Sequence, residues 1–186
     1  MYALQLLLVA LQAWVITAAP IIARQASTIT TALGMVQTSL EQLDTAVKGL
    51  SATDPNSAVG VLNAAQGAQT ALGSATTMIE GANNLGLFGA LGLQQTADGL
   101  VGQVQTTLGD LTQKKPVFDQ LGVTPVVADA LQQQKASSGQ LGDTLLSKVP
   151  AIARPIAQQS TGQLTEALDG AIAAFSKPGA AGAAAA

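Results

Sequence analysis

The sequence predicts an all-α protein, an up-and-down bundle of about five amphipathic helices. Three observations carry this. Beyond Arg24, apolar side chains recur at alternating steps of three and four residues, the spacing of one helical face. Prolines and small polar residues break that pattern into segments of similar length. Nowhere does an apolar/polar alternation of period two compete with it. At 186 residues the chain fits a single domain with one core, expected over 27–176.

The first segment reads Ile29, Leu33, Val36, Leu40, Leu43, Val47, Leu50, with Ser27 and Thr28 as N-cap candidates and Ser51–Pro55 as its end. The second reads Val61, Ala65, Ala68, Leu72, Ala75, Ile79 after a cap at Asn56 or Ser57. The third follows Thr96 as Ala97, Val101, Val104, Leu108, Leu111, and Pro116 is expected to kink or shorten its end. The fourth starts at Pro125, with Thr124 as cap, and runs to about Lys148. Pro150 opens the fifth, which ends at Phe175; Pro155 either kinks it or marks its true start.

Composition then excludes several classes of function. There is no cysteine and no histidine, so disulfides, thiolate chemistry, the commonest general base and the commonest transition-metal ligand are all missing. Eight basic against eleven acidic residues leave a net charge of −3 with no basic cluster, which argues against nucleic-acid binding. The carboxylates are scattered singly; the pairs Glu41/Asp44 and Glu166/Asp169 read as solvated helix faces. No phosphate loop, nucleophile elbow or metal-ligand spacing occurs. No enzyme, no cofactor and no metal site is expected.

Residues 1–19 read as a secretory signal peptide. The apolar run Leu4–Ile16 carries no charge, is too short to span a bilayer, and ends in Thr17-Ala18-Ala19 before Pro20. Residues 20–26 form a short linker or pro-segment, and the Ala/Gly tail 177–186 is expected to be disordered. No transmembrane anchor remains after cleavage. A secreted, extracellular location follows; the cell wall enters only with the family likeness given below.

Two helices break their stripes. On the fourth it runs Val127, Leu131, Gln134, Ser138, Leu141, Leu145; on the fifth, Ile152 and Ile156 precede Gln159, Ser160 and Gln163. Counted outward from the turn at Val149, Ser138 and Ser160 come level, and Gln134 comes level with Gln163 or Leu164. Two readings stand: a polar cluster inside an apolar cavity, able to bond a lipid head, or interhelical bonds and a solvated seam that fix register. The alanines of the second stripe likewise permit close packing or leave room for a ligand. A ligand-binding lining is expected from Leu108, Leu111, Phe118, Leu131, Gln134, Ser138, Leu141, Leu145, Ile156, Gln159, Ser160 and Gln163. The uncharged, glycine-rich stretch 85–93 reads as a linker. Its Leu85, Leu87, Phe88 and Leu91 form a lid, a surface contact or a plug for one bundle end.

Taken together, Lys114-Lys115, Phe118, the Leu131–Lys135 run, Ser147-Lys148-Val149-Pro150 and the closing Ala167-Leu168-Asp169 with Ala171-Ile172 and Phe175 give the second half a family likeness. Ser27-Thr28-Ile29-Thr30 and Leu43–Lys48 extend it to about 25–176. The chain resembles the fungal hydrophobic surface-binding protein A family, which includes cell-wall galactomannoproteins. That resemblance implies a secreted five-helix bundle that binds fatty acid or another lipid in a central cavity. Alternatives it also implies are adsorption to hydrophobic surfaces with recruitment of a secreted hydrolase, or a structural wall mannoprotein. The stripe alone looks the same around a dry core and around an acyl chain.

Overall fold

The computed structural model describes residues 19–177. The expected signal peptide up to Ala18 and the expected tail from Pro178 lie outside the described residues. Five long helices and one short one form: α1 (Ala19–Lys48), α2 (Pro55–Glu80), α3 (Leu87–Gln113), α4 (Lys115–Gln120), α5 (Thr124–Lys148) and α6 (Arg154–Ser176). A single 3₁₀ turn, Ala151–Ala153, leads into α6. Among the described residues there is no strand, only one isolated bridge between Ser51 and Asp54. None of the described helices is long and apolar enough to cross a membrane.

The long helices close a ring. α1 packs between α2 and α3, α2 also meets α5, and α6 bridges α5 and α3. The hairpins α1/α2 and α5/α6 are neighbours as short connections require. The linker 81–86 and the α4 corner instead carry the chain across the bundle, so α3 lies beside α1 and α6. Ring closure has a geometric consequence. With neighbouring axes about 8–10 Å apart, five axes stand roughly 7–8.5 Å from the centre line, farther than in a four-helix ring. Large side chains must fill that lumen, or it stays open.

The α1 stripe is buried as read, with Ile29, Leu33, Val36, Leu40, Val47 and Leu50 inside. Its helix begins earlier than the sequence signalled, running unbroken through Ser27 and Thr28. Both residues are tolerated in a helix once the preceding segment is itself helical. At α2 the cap is Asp54, not Asn56 or Ser57: its carboxylate accepts the Asn56 N–H at 3.0 Å while Pro55 takes the first turn. Pro116 does end α3 and opens α4. Gly122, at φ +69°, then reverses the chain. Gly122 N–H bonds Asp119 O and Val123 N–H bonds Phe118 O, the bonding pattern of a left-handed helix stop. α4 closes one bundle end by edge-to-face contact of Phe118 with Phe175 of α6, centroids 5.7 Å apart.

Two sequence expectations change. The stretch 85–93 is not a linker: α3 starts at Leu87, and Ala90 and Leu93 are buried as a backward continuation of the Ala97–Val101 stripe. Gly86, Gly89 and Gly92 masked that periodicity. The inward phase of α6 also differs. Pro155 restarts the helix at Arg154, so the phase fixed by Leu164, Leu168, Ala171 and Phe175 runs back through Ser160 and Ala157 to Ala153. Ile152 and Ile156 fall outside it and are exposed.

Candidate functional site

The lumen is open. A cavity of about 80 Å³ lies on the bundle axis, several times what one water molecule needs. All five long helices line it: Val36, Leu40 and Leu43 of α1; Val61, Leu62, Ala65 and Leu72 of α2; Leu100, Val104, Thr107, Leu108 and Leu111 of α3; Val127, Ala130, Leu131, Gln134, Ser138 and Leu141 of α5; Leu164 and Leu168 of α6. Every one of these residues is buried or half-buried. No acid or base is among them. The polar exceptions are Thr107, Gln134 and Ser138.

Small side chains account for the space. Ala65 and Ala130 stand where leucine would reach the axis, and across a five-helix ring no opposite helix is near enough to compensate. An apolar void this size destabilises the empty protein by about 2 kcal/mol, at roughly 24 cal/mol per Å³. Thr107 adds to that. It is 2% exposed, and its hydroxyl has no hydrogen-bond partner. Thr76, Thr106, Thr112 and Thr161, by contrast, each donate to the carbonyl four residues back. A buried hydroxyl left unsatisfied costs on the order of 1–3 kcal/mol.

A second cavity, about 70 Å³, is lined by Leu33 of α1, by Ala90, Leu91, Leu93, Gln94 and Ala97 of α3, by Leu145 and Val149 of α5, and by Ala153, Ile156, Ala157 and Ser160 near the start of α6. Leu91, Gln94 and Ile156 are exposed, so this cavity reaches solvent.

The residues expected to line a ligand site therefore divide. Leu108, Leu111, Leu131, Gln134, Ser138 and Leu141 converge on the central cavity. Leu145, Ile156 and Ser160 line the second. Phe118 packs on Phe175 at the bundle end and lines neither. Gln159 and Gln163 face solvent, one position off the inward phase of α6. Ser138 and Ser160 do not meet: Ser138 lies against the central cavity, whereas the Ser160 hydroxyl donates to Asp98 of α3 at 3.4 Å. The polar breaks thus split between a cavity lining on α5 and a register bond with a solvated face on α6. Of the expected lid, Leu85 is buried with its N–H on the Lys148 carbonyl at 2.8 Å, and Leu91 is half exposed at the second cavity. The side chains of Leu87 and Phe88 lie outside the described residues.

Sequence reasoning missed Thr107. It completes the 104, 107, 108, 111 face of α3, a wider stripe than the alternation of three and four that was followed. Val36, Leu40 and Leu43 of α1 also line the cavity, although their stripe reads the same as packed core, and Ala65 of α2 takes the roomier of its two readings.

Ionisable groups sit outside the lumen. Lys48 spans Asp44 at 2.7 Å and Asp110 at 3.5 Å, tying α1 to α3; the Asp44 carboxylate raises the lysine's pKa. Asp119 accepts from Lys115 and from the Thr124 hydroxyl, which together hold its carboxyl below the usual range. Among the described residues no cluster of three acids is placed to hold a metal ion.

Several known proteins are similar. Ligand binding domain 1 of the Penicillium marneffei MP1 protein, solved with arachidonic acids, superposes at a TM-score of 0.78 with 24% identity, over 82% of this chain and 99% of that one. AFMP4P, solved with palmitic acid, gives 0.78 at 22% identity over 81% and 99%. Ligand binding domain 2 of MP1, with multiple arachidonic acids, gives 0.77 at 19% over 81% and 95%. At such identities these likenesses establish the fold. Cell wall mannoprotein 1 of Aspergillus flavus is 26% identical over 158 residues, 85% of this chain, and the chain spans only 57% of that relative's length. Residues 26–147, well over half of the chain, match hydrophobic surface binding protein A; the chain belongs to that family.

Proposed function

We propose that the protein is a secreted, non-catalytic lipid carrier of the cell wall or extracellular space, holding a fatty acid in the central cavity of its 27–176 bundle after loss of the 1–19 leader. One observation carries this reading: a lumen lined by all five long helices, apolar but for three neutral polar groups. Small-molecule sites have this make-up, an apolar wall with a few placed polar groups. Burial of an acyl chain gains about 0.8 kcal/mol per methylene, before the cost of immobilising it. The fatty acids bound by similarly folded proteins and the wall location named for the Aspergillus relative support it.

The chemistry of the head follows from the lining. Thr107, Ser138 and Gln134 can donate hydrogen bonds, but no cation is present to hold a carboxylate. A buried carboxyl is therefore bound uncharged, or held by these neutral donors alone. Fatty alcohols and methyl esters are expected to bind within about tenfold of the acid, a gap of about 1.4 kcal/mol. Calorimetric titration of delipidated protein with acid, alcohol and ester measures it. Failure of all three to bind rejects the carrier reading.

Adsorption to hydrophobic surfaces is the second reading, favoured by the exposure of Ile152 (77%), with Leu91 and Ile156 also exposed. Retention on polyester beads that Ile152→Ser leaves unchanged would count against it.

A further inference from the structure

The two cavities share an axis. On each of the four helices that line both, the nearest linings are three or four residues apart: Leu33 and Val36 on α1, Ala97 and Leu100 on α3, Leu141 and Leu145 on α5, Ser160 and Leu164 on α6. That is one helical turn throughout. α1, α3 and α6 meet the second cavity at their N-terminal side and α5 at its C-terminal side, as a stacked pair requires. One layer of side chains separates the cavities. At that layer α5 and α6 approach closely, since a Cβ on Gly142 would stand 3.0 Å from Thr161 Cγ2. The two cavities thus stack end to end, with a waist of side chains between them.

Only one of the two chambers has exposed residues in its wall. The central cavity has none, while Leu91 (50% exposed) and Ile156 (41%) both line the second. Ile152, the most exposed of the large apolar residues described, sits one turn before Ile156. An apolar rim at the mouth of an apolar passage lets an acyl chain leave a lipid phase without its methylenes crossing water.

We infer that the acyl chain is admitted lengthwise through the second cavity, between Leu91 of α3 and Ile156 of α6, and passes the Leu100/Leu141/Leu164 layer to reach the central chamber. The inference rests on the carrier reading and adds a route to it.

The absence of cysteine makes the test clean. In the delipidated full chain, Ile156→Cys is labelled with a bulky maleimide, and Val59→Cys, exposed on α2 and lining neither cavity, serves as control. Uptake of cis-parinaric acid from phosphatidylcholine vesicles is followed by stopped-flow fluorescence, with helicity checked by circular dichroism. The labelled Ile156→Cys protein is expected to take up the probe at least about tenfold more slowly. Its release should slow in proportion, so that the equilibrium affinity stays put. The Val59→Cys control should behave as the parent. Ala97→Phe, which narrows the same passage from inside, should slow uptake without a label. Rates within twofold of the parent in both the labelled protein and Ala97→Phe would overturn the route while leaving the carrier reading intact. No binding by the parent protein would overturn both.

Discussion

At Thr107 a single atom connects packing to binding. Its hydroxyl is buried at the central cavity without a partner, a cost that a ligand's polar head would remove. Thr107→Val keeps the shape and deletes the unsatisfied group. The empty protein is expected to gain about 1–2 kcal/mol of stability by denaturant unfolding, while lipid affinity falls. Affinity unchanged in Thr107→Val would place the head elsewhere. Asp119 works at the α4 end of the bundle. The Lys115 ammonium, and then the Thr124 hydroxyl, hold its folded pKa down. Its stabilisation is therefore complete above the ordinary carboxyl value of about 4 and is lost as pH falls through the depressed one. Asp119→Asn should lower the unfolding midpoint at pH 7 and flatten its fall below about pH 4, as a pH series of denaturant titrations would show.

For the helices, the smallest side chains decide what the lumen can hold. Ala65 of α2 stands where a leucine would project into the cavity. Ala65→Leu is expected to raise the stability of the empty protein by about 1–2 kcal/mol through filled volume, at the 24 cal/mol per Å³ scale. It should also weaken acyl binding at least tenfold in the same titration. A variant that binds as the parent does would show that the chain lies elsewhere in the lumen. Elements were the most legible part of the sequence. Leucine spacing on α1 and prolines 55, 116 and 125 located helices directly, because propensity and periodicity agree there. Where they disagree the reading slipped. Glycines hid the first two turns of α3, and Pro155 reset a phase that Ile152 and Ile156 had suggested. The candidate site was half legible. Gln134 and Ser138 show as polar breaks in an apolar stripe, but a cavity-lining Val36 or Leu72 carries the same signature as a packed one.

The whole molecule holds its ring with few charges. Each junction outside the α1/α2 hairpin carries at least one exterior polar link: Lys48–Asp110 between α1 and α3, Ser160–Asp98 between α3 and α6, Lys135–Asp169 between α5 and α6, and both Gln69–Gln133 and Lys148 on the Glu80 carbonyl between α2 and α5. Such links contribute little stability individually when exposed. Their value is register, since an apolar stripe can slide by a turn and a paired side chain cannot. Ring order itself was not legible, because the linker 81–86 and the α4 corner choose which helices meet, and their sequences do not encode a crossing.

The open lumen also makes occupancy and folding two views of one equilibrium. A ligand that fits only the closed ring adds RT ln(1 + [L]/Kd) to its stability, about 2.7 kcal/mol at a hundredfold excess over Kd. The melting temperature of a preparation would then record how full the protein is. Solvent extraction should lower it and re-addition of lipid should restore it, with no residue changed. A protein of this kind would stay folded best where lipid is plentiful and become the easiest target for proteolysis once its ligand has gone.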